Sequence, residues 1–205
     1  DPLVRFAIMR RDPRKYRPIP ARAIKIDLPN TTQVTGWTCG ASALLSIASY
    51  FGVGPEDEWD YTEDMKFGPS GSDPKHFFRA AEKYGLAIQE FVGMTDEELE
   101  ACLDRRRPVV LMLQAWPNGK VKSYTHDWHD GHWVIAIGYD KDVFYFEDPS
   151  IHGGRGYISR RELKSRWHDI KGPKKHPVRV KRLGLAIWAE RVTEFGSVKN
   201  ARHID

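Results

Sequence analysis

The chain has 205 residues, 40% of them apolar, with seven Trp, eight Tyr and nine Phe against only 17 Gly and 13 Pro. That length predicts one compact domain, and the composition excludes disordered and collagen-like chains. Thirty-two basic and 28 acidic residues leave a net charge of +4, unevenly spread as +6 over 1–25, −10 over 56–104 and +8 over 159–182.

The basic stretches carry no recognisable DNA- or RNA-binding motif and read as solvated faces, so no nucleic-acid partner is expected. The longest apolar run, Pro108 to Ala115, is far short of the roughly 20 residues of a membrane-spanning helix. Cys39 and Cys102 allow one bridge at most and no disulfide framework. The chain begins at Asp1, which is compatible with a removed signal or tag. A soluble protein is expected, with the cytoplasm slightly favoured over export.

In chain order, residues 1–25 read as an Arg- and Pro-rich arm, with a short strand from the alternation of Ile24, Ile26 and Leu28. After the turn Pro29-Asn30-Thr31-Thr32, Ala41, Leu44, Leu45, Ala48 and Phe51 recur at helical spacing until Gly52. Thr38 is the expected N-cap, which puts Cys39 in the first helical turn. Residues 52–72 read as a long loop. Asp73-Pro74 then opens a helix carrying Phe77, Ala81 and Tyr84 and closed by Gly85.

A strand over 86–92 leads to a capping box of Thr95 and Glu98, with helix 96–105 turning Leu99, Cys102 and Leu103 inward. Cys102 is therefore expected to be an inert core thiol. Strands follow at 109–116, 132–139, 143–148 and 184–190, with a capped helix from Ser159 to Trp167 between the last two. The expectation is an α+β domain over 26–190, helical first and sheet second, with a tail over 191–205.

At the start of a helix, unpaired N–H groups and the helix dipole favour negative charge on sulfur, which suits Cys39 to nucleophilic work. Read alone, a small core residue fits Cys39 as well. His132 opens its strand at a position that can face a cleft and act as the base. If a hairpin loop is centred on Asp140, His132 lies opposite Asp148, which can then fix the tautomer of the imidazole and stabilise its cation. Two unrelated polar strand ends are the competing reading. Gln33, six residues before Cys39, can reach the thiol through a turn at Gly36 and donate to an oxyanion. It is also readable as an exposed loop glutamine.

Two rival constellations stand beside these. His126, His129 and His132, spaced by three, have the nitrogen count of an open zinc site but lack a helical His-Glu-x-x-His context. Gly68-Pro69-Ser70-Gly71 is a weaker phosphate-loop candidate, with no strand before it.

Together, Gln33-Val-Thr-Gly-Trp-Thr-Cys39-Gly-Ala-Ser-Ala-Leu-Leu, Gly131-His132-Trp-Val-Ile-Ala-Ile-Gly-Tyr and Glu147-Asp148-Pro149 resemble papain-like cysteine peptidases, and among them the bacteriocin-processing, double-glycine leader peptidases. The resemblance spans roughly 30–170 and implies a papain-like fold: a helical lobe carrying the nucleophile helix, packed against an antiparallel sheet. It implies Cys39 as nucleophile, His132 as base, Asp148 as its orienting partner and Gln33 in the oxyanion hole, with a peptide or amide substrate and no cofactor. With neither a membrane span nor a Gly-x-x-x-x-Gly-Lys-Ser/Thr motif, the chain resembles the stand-alone branch rather than the transporter-fused one. An acyltransferase of the phytochelatin-synthase type, or a non-catalytic peptide-binding module, is the alternative on the same scaffold.

Overall fold

A computed structural model describes residues 16–116, 124–173, 175–189 and 200–204. The elements run β1 (Tyr16–Pro18), α1 (Cys39–Phe51), α2 (Glu58–Met65), α3 (Pro74–Tyr84), β2 (Ala87–Phe91), α4 (Asp96–Asp104), β3 (Val109–Gln114), β4 (Gly131–Tyr139), β5 (Val143–Glu147), β6 (Arg155–Ser159), α5 (Arg160–Arg166), β7 (His168–Lys171), β8 (Val178–Lys181), β9 (Gly184–Trp188) and β10 (Asn200–His203). A 3-10 turn, Tyr124–His126, precedes β4.

One large sheet has the order β1-β10-β6-β5-β4-β3-β9-β2, and β7 with β8 forms a separate ribbon. All neighbours in the large sheet are antiparallel except β10 and β6. Its centre is dry: every residue of β3 is buried, as expected of a strand reading Val-Val-Leu-Met-Leu. α1, α2 and α3 pack on one another, and α1 lies against β4 and β9. This is the expected α+β division into a helical lobe and a sheet. No helix among the described residues is long and apolar enough to cross a membrane.

α1 is buried almost all round because its small residues let other chains approach. A Cβ on Gly40 would stand 2.0 Å from Ser72 Oγ. Thr38 precedes α1 as expected, but its side chain does not cap the helix. With φ −92° and ψ 11° it lies outside the extended region from which a cap reaches forward. Its hydroxyl instead accepts from the Thr35 N–H at 3.1 Å and closes the 35–38 turn.

Several expectations change. The 52–72 loop contains α2, capped by Asp57, whose side chain accepts from Trp59 N–H at 2.8 Å. Residues 24–28 form no strand and carry only a single bridge, Ile24 to Gly138. Tyr16–Pro18 and Asn200–His203, read from sequence within an arm and a tail, are paired strands at one side of the main sheet. The remaining residues of the arm's first fifteen positions, and 190–199, lie outside the described residues. The basic 159–182 stretch holds the β7–β8 ribbon as well as α5.

Cys102 is buried on α4 beside Leu99 and Leu103. Burial pushes its thiol up, against the pull of Arg107 and Arg105. Since the thiolate is the reactive form, native iodoacetamide labelling should leave Cys102 untouched over the time in which denatured protein is fully modified. Rapid native modification of a Cys102 peptide, read by mass spectrometry, would contradict that.

Candidate active site

Cys39 opens α1 and lines a cleft of about 640 Å³ between the helical lobe and the sheet. One wall is aromatic: Trp37 meets Phe67 edge-on with ring centroids 5.7 Å apart, and Phe67 stacks on His76. The Gly68-Pro69-Ser70-Gly71 segment forms a lip of this cleft, folded tightly by a bond from Gly71 N–H to Gly68 O at 2.9 Å.

His132 and Asp148 meet through a register different from the one sequence suggests. Tyr139 pairs with Phe144, and Asp140 N–H donates to Val143 O at 3.0 Å, so the turn proper is the two residues Lys141-Asp142. Alone, that turn would send His132 and Asp148 to opposite faces. A β-bulge between Ala136 and Gly138 inserts Ile137, and beyond it Ala136 pairs with Phe146 and Ile135 with Glu147. Continued by one residue, this register puts Val134 opposite Asp148, and His132, two positions along, shares its face.

The bulge has its own support. Ile137 O accepts from Lys25 N–H at 2.9 Å and Ile26 N–H at 3.0 Å. A Cβ on Gly138 would sit 2.2 Å from Ala23 O, so only glycine lets the 23–26 segment lie this close.

The result is a hydrogen bond between His132 Nε2 and Asp148 Oδ1 at 2.7 Å, with both side chains buried. Asp148 Oδ1 also accepts from Ser150 N–H and Ser150 Oγ–H, each at 2.8 Å. Burial disfavours the charge on His132, but the Asp148 carboxylate, and then the Cys39 sulfur as hydrogen-bond partner, hold the imidazole well above its ordinary value. Burial likewise pushes Asp148 up, and His132 with Ser150 overcomes it, holding the carboxyl below its usual range. The pair is therefore an imidazolium and a carboxylate at neutral pH. Because Nε2 is spent on Asp148, Nδ1 is the nitrogen left for Cys39.

Trp116, at the end of the strand expected over 109–116, packs on His132. Its ring lies 4.5 Å from the His132 ring, centroid to centroid, and its backbone sits at φ +49°. A left-handed tryptophan is a strained choice, and here it places an indole between the imidazole and solvent.

Gln33 is held from several sides. Its N–H donates to Pro149 O at 2.9 Å, directly after Asp148, and the next N–H, of Val34, donates to Glu58 Oε1 at 3.1 Å. Its amide departs from the sequence expectation: Nε2 donates to Thr35 O at 2.6 Å, and Oε1 is buried with no hydrogen bond. One of the two N–H bonds of that amide is thus committed to the turn that presents Cys39.

Behind this segment, Glu147 accepts from Asn30 Nδ2 and Thr31 N–H, each at 2.9 Å, and pairs with the buried Arg155. The strand carrying Asp148 and the segment carrying Gln33 are tied together by these bonds. The histidine-cluster reading finds no support in the geometry: His132 is turned to Asp148 and His129 lines the cleft. Among the described residues no group of three or more His, Cys, Asp or Glu is gathered to hold a metal.

A helix bearing a cysteine at its first turn thus packs against a sheet bearing a buried His–Asp pair. The sequence model of the C39-like peptidase family matches residues 25–175, and the chain belongs to that family, membership of which implies a peptidase. No curated protein matches the chain.

Solved structures agree on the fold. A C39-like peptidase from Bacillus anthracis is 16% identical, with a TM-score of 0.63 over 84% of this chain and 100% of that one. The peptidase domain of Streptococcus ComA, a bi-functional ABC transporter involved in quorum sensing, is 17% identical, with a TM-score of 0.56 over 78% and 96%. A double-glycine motif protease from an AMS/PCAT transporter, solved with its leader peptide, is 18% identical, with a TM-score of 0.52 over 86% and 98%.

Proposed function

We propose that the protein is a cysteine peptidase that cleaves a peptide through a thioester acyl-enzyme, with Cys39, His132, Asp148 and Gln33 as its machinery. The observation that carries this reading is the His132–Asp148 bond of 2.7 Å, in an imidazole whose charge the Cys39 sulfur also favours. Cys39 attacks the scissile carbonyl carbon. The proton of the thiol is held on His132 as the imidazolium, which delivers it to the leaving amine; the ring, now neutral, then draws a proton from the water that hydrolyses the thioester. Asp148 holds the ring and balances the imidazolium charge. The balance closes with water alone, so no cofactor is required.

The oxyanion needs donors aimed where charge develops. The Cys39 N–H belongs to the first helical turn, whose N–H groups have no partner within the helix. Gln33 supplies the second donor through the N–H that Thr35 does not hold. Gln33→Ala should therefore lower kcat by on the order of 10²-fold with KM little changed. A loss under about three-fold would assign Gln33 to holding the turn alone.

The reading as a whole is tested by treating native protein with a thiol-directed activity probe, and by incubating it with a peptide library that includes double-glycine leader peptides. Labelling of Cys39 and release of new amino termini are expected. Products carrying glutathione at the new carboxyl terminus, when glutathione is added, would convert the hydrolase reading into an acyltransferase one. Peptide binding with neither labelling nor cleavage would leave a binding module.

A further inference from the structure

The residues lining the cleft include Asp73 and Asp169, with His76 and His129, and among those described there is no Lys or Arg. His76 is neutral: burial pushes its imidazole down, and its Nδ1 accepts from Asp73 N–H at 2.8 Å. Of the basic side chains near the lining, Lys171 is held by Glu90 at 3.0 Å, and Lys75 and Arg79 on α3 act on His76, helping to lower its imidazole. In a chain of net charge +4, the site is a local concavity of negative sign, where low-dielectric walls concentrate the field.

Asp169 is the unusual member. It stands on β7 and is only 8% exposed. Its Oδ1 is fixed by Gln114 Nε2 at 3.0 Å and by Ile170 N–H at 2.7 Å. Gln114 is itself fully buried and locked by Asp130 N–H, which donates to its Oε1 at 3.0 Å. The second oxygen, Oδ2, has no hydrogen bond and overlies Gly131, where a Cβ would lie 2.1 Å from it.

Gly131 and Asp169 line the same cleft as Cys39, so this open oxygen faces the cleft into which the nucleophile of the proposed mechanism opens. Most of the Asp169 side chain is buried, while its unpaired oxygen stays open to the cleft, so the charge is presented to a ligand from one direction only. With no Lys or Arg among the described residues that line the cleft, the donor that suits this oxygen is a cation.

Resting on the peptidase reading, we infer that Asp169 is a specificity-determining residue that selects peptides with a lysine or arginine side chain close to the scissile bond. Burial, with smaller contributions from Asp127 and Asp73, raises the Asp169 carboxyl to about 6, against the Ile170 N–H and Gln114 bonds that lower it. The preference is accordingly strongest above that value and fades below it, because the protonated carboxyl no longer attracts a cation.

The test separates binding from turnover. Fluorescein-labelled alanine hexapeptides, each carrying one lysine, norleucine or glutamate scanned through the positions, are titrated into Cys39→Ala protein and followed by anisotropy. At one or two positions lysine should bind about ten-fold tighter than norleucine, and glutamate weaker than both. In Cys39→Ala/Asp169→Asn protein, where the asparagine Oδ1 can still accept from Gln114, the advantage should shrink to within about two-fold.

Equal binding of lysine and norleucine at every position overturns the inference, as does a lysine preference that survives Asp169→Asn. If the double variant does not fold, the three-peptide comparison in Cys39→Ala protein, repeated on either side of pH 6, still decides: a preference that does not fade at the lower pH overturns it. Cleavage of peptides by the unmodified protein without a basic preference sinks the specificity and leaves the peptidase reading. A lysine preference without labelling or cleavage does the reverse.

Discussion

Cys39→Ala should abolish peptide hydrolysis, with a loss of at least about 10⁴-fold and no thioester trapped by mass spectrometry. His132→Ala should be nearly as severe. Without the imidazole, the thiol proton has no acceptor within the buried pair, and the leaving amine has no acid. Because nucleophile and base act as a unit, the double variant should be little slower than Cys39→Ala alone, whereas independent contributions would multiply. Cys39→Ser tests the same step more narrowly, since it keeps an attacking oxygen but one with a far higher pKa than a thiol. Turnover at the parental rate by purified Cys39→Ser or Cys39→Ala protein would remove Cys39 from the mechanism. Loss of activity on chelation, with recovery on adding zinc, would instead restore the histidine-cluster reading.

The residues of this site were legible wherever chemistry and local periodicity coincide. The stripe from Ala41 to Phe51 located the helix, and Gly52 its end, where the chain turns left-handed at φ +70°. The position of Cys39 followed. Register was less legible, because it depends on a bulge that belongs to a long-range contact: Ile137 is extruded toward the 23–26 backbone, and nothing in β4 alone announces this. The same contact explains why Ile24, Ile26 and Leu28 alternate without forming a strand.

α2 was hidden because Glu-Trp-Asp-Tyr-Thr-Glu-Asp-Met is eight residues long and polar on balance. Only Asp57 as cap and the Tyr61–Met65 spacing mark it. Ser150 was within reach, since Asp148-Pro149-Ser150 is a sequence in which an aspartate accepts from the backbone two residues on. Trp116 and Asp169 were not. One depends on a positive φ and the other on a ribbon whose short strands carry no pattern above the basic background, so both enter the site through tertiary placement alone.

Asp148→Asn should separate orientation from charge. Asparagine can still accept from His132 Nε2–H through its Oδ1, so the ring stays in place, but the charge that keeps the imidazole protonated is gone. The raised His132 value, about 10 in the intact pair, should fall toward the ordinary histidine range of about 6.5. The alkaline limb of kcat/KM should move down with it, by more than one pH unit, and the rate at neutral pH should fall by on the order of 10²-fold.

Stability carries the same signature. The His132 contribution is fully present below the unfolded histidine value and is lost as pH rises through about 10. The Asp148 contribution, from a depressed carboxyl, is present above the unfolded aspartate value of about 3.9 and is lost as pH falls through the lower folded one. The pair therefore stabilises the fold most between the unfolded aspartate and histidine values, about 3.9 and 6.5, and Asp148→Asn should lower Tm most in that mildly acidic range and least in strong alkali, where the unmodified pair has already lost its proton. An alkaline limb that stays where it is, together with a Tm difference that does not vary with pH, would mean that Asp148 does not carry the charge that holds His132 protonated.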